Sequence, residues 1–196
     1  MLSFTAAIFL LLSTPGPGLL SLAGVGAAFG FRSGLRYLGG LFVGTNLVAL
    51  AVVTGLGALV LASPVIRTVL FAVSTLYLLY LAARIALAGS NIAFAPAARK
   101  PGVRDGVLLQ LVNPKAYVVN TTLFSGFPIF EGAYAAEVAV KFAIINVIWL
   151  SIHFVWLWAG AGVERMELAP RTQRTINVGM ALAMLVVVAL AAWSAV

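Results

Sequence analysis

The sequence predicts an all-α membrane protein, with six spanning helices in two inverted three-helix repeats and breaks in helices 1 and 4. Three observations lead there. Of 196 residues, 63% are hydrophobic and 9% charged, with mean hydropathy +1.11, whereas a soluble domain carries about 25% charged residues. The apolar stretches are long and continuous, unlike the alternating strands of an outer-membrane barrel. Two stretches, one in each half, are interrupted by proline: Thr14-Pro15-Gly16-Pro17-Gly18 and Asn113-Pro114-Lys115-Ala116. Paired broken membrane helices are the best sequence pointer to a transporter's binding site.

Each predicted span is near the roughly 20 residues a bilayer requires. The first covers about Leu2 to Ala23. Met1 to Phe4 carries no Lys or Arg, so the basic region of a signal peptide is missing and this span is read as retained. The second covers Gly34 to Ala62. The third starts at Ser63-Pro64, a capping residue before a proline suited to the first helical turn, and ends near Leu87. The connection 89–103 is polar and punctuated by proline and glycine. The fourth span covers Arg104 to Phe127, the fifth Ala133 to Gly162, and the sixth Thr172 to Trp193. Together they form a single transporter domain with repeat halves of about 1–88 and 104–196.

Basic residues set the orientation. Arg32, Arg36, Arg84, Arg99, Lys100, Arg104, Arg165, Arg171 and Arg174 fall on one side, against only Arg67 and Lys141 on the other. Both termini are therefore expected outside the cytoplasm. The net charge of +7 is mostly this topology signal; nucleic-acid binding would need a basic face on a soluble module. The partners expected are the lipid bilayer and a small-molecule substrate. Without cysteine, disulfides and thiolate metal sites are excluded, and no cofactor or metal is expected.

The candidate site is built from the two breaks. Pro15 and Pro17 lack N–H groups, so the carbonyls of Leu11 and Ser13 lose their helical partners. The helix is expected to restart near Leu19. Its free N–H groups and dipole suit a carboxylate, while the carbonyls before the break suit an ammonium group. Pro114 likewise strips the carbonyl of Gln110, and in hydrocarbon such a group needs a partner. A lysine near mid-membrane costs about 3 kcal/mol on insertion scales, so Lys115 is expected to bind a substrate carboxylate, to couple transport to proton flow, or both. The structural alternative is a lysine that caps freed carbonyls such as those of Leu11 or Ser13. The substrate-binding candidates are Thr14, Pro15, Gly16, Pro17, Gly18, Gln110, Asn113, Pro114 and Lys115, with Asn46 and Asn146 in the second and fifth spans. Thr45, Asn120, Thr121, Thr122, Ser125 and Ser151 are read as interhelical hydrogen-bonding residues. His153 is the only histidine; it is read as a hydrogen-bonded packing residue, and Trp149, Trp156 and Trp158 as packing or interface anchors. Gly40-Leu41-Phe42-Val43-Gly44 has small residues at a spacing that marks close helix packing, within the chain or across a homodimer.

These motifs, in this order and over the whole length, resemble the LysE/RhtB family of amino-acid exporters, which carry a TPGP break in the first segment and an NPKA break in the fourth. The glycine-rich stretch Gly30 to Gly44 and the run Tyr77-Leu78-Leu79-Tyr80-Leu81 are similar to family features. Two positions depart from the pattern: Gly18, where Asn or Asp is frequent, and Ala82, where glycine is usual. The resemblance implies secondary export of amino acids or related zwitterions across the bacterial cytoplasmic membrane, driven by membrane potential or proton exchange. No nucleotide-binding motif is present, so ATP is not the direct energy source. An inorganic-ion or anion carrier is the alternative. An intramembrane enzyme is disfavoured, because the spans hold no central carboxylate to do its chemistry.

Overall fold

The computed structural model describes residues 1–87, 100–130, 132–166 and 168–193. Residues 89–99 of the predicted connection lie outside the described residues, as do Glu131 and Glu167. The described chain is helical throughout: α1 Leu2–Ser13, α2 Pro17–Phe29, α3 Phe31–Val53, α4 Leu56–Ala62, α5 Pro64–Ala86, α6 Val103–Val112, α7 Pro114–Ser125, α8 Tyr134–Arg165 and α9 Pro170–Trp193. By length and hydropathy α3, α5 and α8 each suffice to cross a membrane, and α1 with α2, bent by 53°, qualifies as one broken span.

Local chemistry explains the boundaries. Ser63 caps α5, its Oγ accepting from the Ile66 N–H at 3.3 Å, with Pro64 in the first turn. At the first break the helix restarts at Pro17, not at Leu19 as expected, because a proline without an N–H is suited to a first helical turn. The second span, expected to be continuous, breaks between α3 and α4, where Gly55 adopts φ +85°, a left-handed conformation that favours glycine.

The molecule wears its apolar side chains outward. Phe9 and Leu10 on α1, Leu76 on α5, and Val147 and Trp158 on α8 are all exposed, as befits helices facing lipid, where burial against protein has no hydrophobic driving force. The interior is held by close backbone approach. A Cβ on Gly40 of α3 would collide with the Val103 carbonyl of α6, and one on Gly106 of α6 with the Tyr37 carbonyl of α3. One turn on, a Cβ on Gly44 would lie 2.7 Å from the Gln110 Cβ. The small-residue seam at Gly40 and Gly44 is therefore spent within the chain, against α6. The α2–α8 seam is similar: a Cβ on Gly160 would meet the Ala23 carbonyl, and one on Gly26 would lie 3.1 Å from the Leu157 oxygen.

The most extensive packing joins α3 to α6, α2 to α8, and α5 to α9. In each pair a helix from the first half meets one from the second. Asn46 of α3 and Asn146 of α8 exchange amide hydrogen bonds, Asn46 Nδ2 to Asn146 Oδ1 at 3.1 Å and Asn146 Nδ2 to Asn46 Oδ1 at 2.9 Å.

Lys141 differs from its reading as a surface charge. It lies in the second turn of α8 and is 1% exposed. Its ammonium sits 2.7 Å from Glu137 Oε1, donates to the Phe124 carbonyl near the end of α7 at 2.8 Å, and stands 5.7 Å from the Phe4 ring centroid. Tyr134 Oη donates to the Val53 carbonyl at 3.2 Å. These bonds tie α3, α7 and α8 together at the end of the bundle where α1 begins. Removing one member of a buried charged cluster strands its partners. Lys141→Met is expected to lower the melting midpoint by several degrees, and Glu137→Gln by less, because the Lys141 ammonium keeps the Phe124 carbonyl. Thermal unfolding in detergent reads this, and equal midpoints for Lys141→Met and the unaltered protein would contradict it.

Candidate functional site

The two breaks meet. Helix α1 runs out at Thr14, whose N–H reaches the Leu10 carbonyl at 3.2 Å. Thr14 and Gly16 are then extended, with φ/ψ of −61°/118° and −148°/179°. Gly16 is the N-cap of α2 and offers no side chain to its first turn. The first bond to the Gly16 carbonyl comes from the Leu20 N–H at 3.1 Å, which leaves the N–H groups of Gly18 and Leu19 as the donors at the positive end of the helix.

At the second break Asn113 closes α6 and caps α7, with Pro114 in the first turn. The Gln110 carbonyl, expected to be free, accepts from the Asn113 N–H at 3.3 Å in a tightened turn. Side-chain roles follow by necessity. The Lys115 N–H can only donate, and it reaches Asn113 Oδ1 at 3.1 Å. Asn113 Nδ2 therefore donates, to Gln110 Oε1 at 3.1 Å, which leaves Gln110 Nε2 as a donor turned to the other side.

Lys115 joins the breaks. Its ammonium donates to the Thr14 carbonyl at 2.6 Å, not to those of Leu11 or Ser13. Gly16 makes the room: a Cβ there would lie 2.9 Å from Lys115 Cδ and 3.0 Å from Nζ. An ammonium has three donors, and one is used here.

Around this junction lies a cavity of about 60 Å³, space for a few waters. Of the sequence candidates, Thr14, Gly16, Pro17, Gly18, Gln110, Asn113 and Lys115 line it. Pro15 and Pro114 shape the turns without lining the cavity, and Asn46 and Asn146 bond to each other outside the lining. The remaining wall is largely apolar, with Leu11, Leu12, Leu19, Val119, Leu123 and Ile145. Among the described residues no Asp or Glu lines it.

Four lining residues were read otherwise from sequence: Thr45, Asn120, Trp149 and His153. Asn120 Nδ2 donates to the Ala116 carbonyl at 2.8 Å. His153 keeps its packing role, with Nδ1 2.8 Å from the Trp149 carbonyl and its ring stacked on Trp149, centroids 3.4 Å apart. It is also part of the cavity wall. The signal was in the spacing: Ile145, Trp149 and His153 recur every four residues on α8, and Ala116, Val119, Asn120 and Leu123 follow the helical period on α7.

A leucine efflux protein of Enterobacter sp. (strain 638) is 24% identical over 172 residues, covering 83% of this chain and 80% of that protein. No solved structure gives a significant match. The LysE type translocator family model matches residues 8–194, nearly the whole helical array including both breaks, and the chain belongs to that family.

Proposed function

We propose that the protein exports neutral aliphatic amino acids, leucine among them, across the bacterial cytoplasmic membrane by alternating access around the junction of the two breaks. The observation that carries this reading is the Lys115–Thr14 contact, which joins two interrupted helices from opposite halves of the chain. In this reading the substrate carboxylate lies against the Lys115 ammonium and the N–H groups that open α2. The apolar wall takes an aliphatic side chain. A lining without carboxylates among the described residues offers nothing to neutralise a basic one, and likeness to a leucine efflux protein points the same way.

Six spans in two inverted triplets are part of this reading, with α6–α7 and α9 as the crossings beyond those of sufficient length and hydropathy. The reciprocal packing supports it: α2 meets α8 as α6 meets α3, and α5 meets α9. Both termini lie outside the cytoplasm, on the bias of basic loop residues. A cavity of about 60 Å³ is smaller than the roughly 150 Å³ that admits a benzene. Entry of an amino acid therefore requires the triplets to move apart. Lys115, released from Thr14 as they do, is the candidate for proton coupling.

Counterflow into liposomes with a panel of labelled amino acids tests the assignment. Leucine, isoleucine and valine are expected to exchange, and lysine and glutamate not to. A panel in which nothing moves, or only charged members move, sinks it.

A further inference from the structure

One polar group in the cavity is left unused by the site described above. His153 is 4% exposed, and its orientation is fixed twice, by stacking on Trp149 with 15° between the ring planes and by the 2.8 Å bond from Nδ1 to the Trp149 carbonyl. A carbonyl only accepts, so Nδ1 carries the proton, and in the neutral ring Nε2 is left as an acceptor. Among the described residues nothing else hydrogen-bonds this ring. Nε2 points at the start of α2: a methyl group built on Gly18 would stand 3.8 Å from it and 3.8 Å from Gln110 Nε2. The Lys115 ammonium stands beside Gly16, two residues earlier, where a Cβ would lie 3.0 Å from Nζ. Donor and acceptor thus flank the same short stretch of backbone and line the same cavity. The two glycines keep the space between them clear.

We infer that His153 Nε2 accepts a hydrogen bond from the substrate's ammonium group, so that His153 and Lys115 together fix the direction in which a zwitterion lies. This rests on the reading that the cargo is an amino acid. It gives His153 a contact role that packing alone would not require. Gly18, without a side chain, leaves the ring open to the substrate.

The single histidine makes the test direct. With ring-nitrogen-labelled histidine in the unaltered protein, leucine is expected to move the Nε2 resonance along its binding isotherm. 4-Methylpentanoate, which is leucine without its amino group, is expected to leave it in place. In binding assays His153→Phe should weaken leucine by roughly 10-fold or more, the scale of a hydrogen bond to a charged group, and leave 4-methylpentanoate unchanged, with His153→Gln recovering part of the loss. Leucine bound with the resonance unmoved, or both ligands moving it equally, overturns the inference. Equal weakening of both ligands in His153→Phe likewise returns His153 to packing alone. Failure of leucine to bind the unaltered protein overturns instead the reading on which the inference rests.

Discussion

Lys115→Met is expected to weaken leucine binding by roughly 10- to 100-fold, the range for a lost hydrogen bond between charged groups, and to lower counterflow at tracer concentration in proportion. Methionine keeps much of the length and apolar bulk of the lysine stem, so the variant removes the ammonium without emptying the space beside Gly16. It also releases the Thr14 carbonyl, but Thr14 is exposed and lines the cavity, so loss of fold is not the expected outcome. Lys115→Arg is expected to rescue poorly. The existing stem already approaches to within 2.9 Å of where a Gly16 Cβ would stand, and the broader guanidinium fork does not substitute for a compact ammonium. Leucine affinity measured by calorimetry, alongside a melting curve, separates binding from stability. A Lys115→Met protein that binds and exchanges leucine normally would reduce Lys115 to a cap on the Thr14 carbonyl.

The breaks were legible because proline is a local signal. Pro15, Pro17 and Pro114 each remove an N–H wherever they stand in a helix, and no tertiary knowledge is needed to know which carbonyl suffers. That Lys115 would turn to carbonyls of the other break was the structural alternative to substrate binding, on the ground that an ammonium in hydrocarbon must find oxygen. Which oxygen did not follow: the extended backbone from Thr14 to Gly16 presents the Thr14 carbonyl, and sequence does not give that geometry. Gly55 was missed because glycines in an apolar run, here Gly55 and Gly57, are common in membrane helices and read as packing. Lys141 was misplaced for a related reason. Charge counting treats a lysine near a span end as a loop charge, whereas Glu137 four residues earlier pairs with it on the helix face. Asn46 and Asn146 were read as substrate-binding candidates, but their amides are spent on each other. The α8 face carrying Trp149 and His153 required knowing that α2 lies against it, which the order of spans alone did not decide.

Gly106→Ala is expected to destabilise the protein by about 3 kcal/mol, at the upper end of overpacking effects, and to abolish transport. A single methyl has nowhere to go: it would meet the Tyr37 carbonyl, lie 2.5 Å from the Leu41 nitrogen and 2.8 Å from the Gly40 carbonyl carbon. These are backbone atoms, so no rotamer change relieves the clash and α6 must move off α3. The consequences run along α6. One turn on, Gln110 packs against Gly44, and Gln110 holds Asn113, which caps the turn carrying Lys115. Displacing α6 therefore shifts the second break relative to the first and parts Lys115 from Thr14. Gly39→Ala is the control, since a Cβ there meets nothing within 4 Å. It is expected to be neutral or to stabilise α3 by up to about 1 kcal/mol, as alanine does for glycine in a helix. Thermal midpoints for the two variants, with leucine counterflow at a temperature where both remain folded, decide the matter. If Gly106→Ala melts with the unaltered protein and exchanges leucine at its rate, α3 and α6 do not touch at Gly106, and the route by which α6 carries the second break to the first is lost.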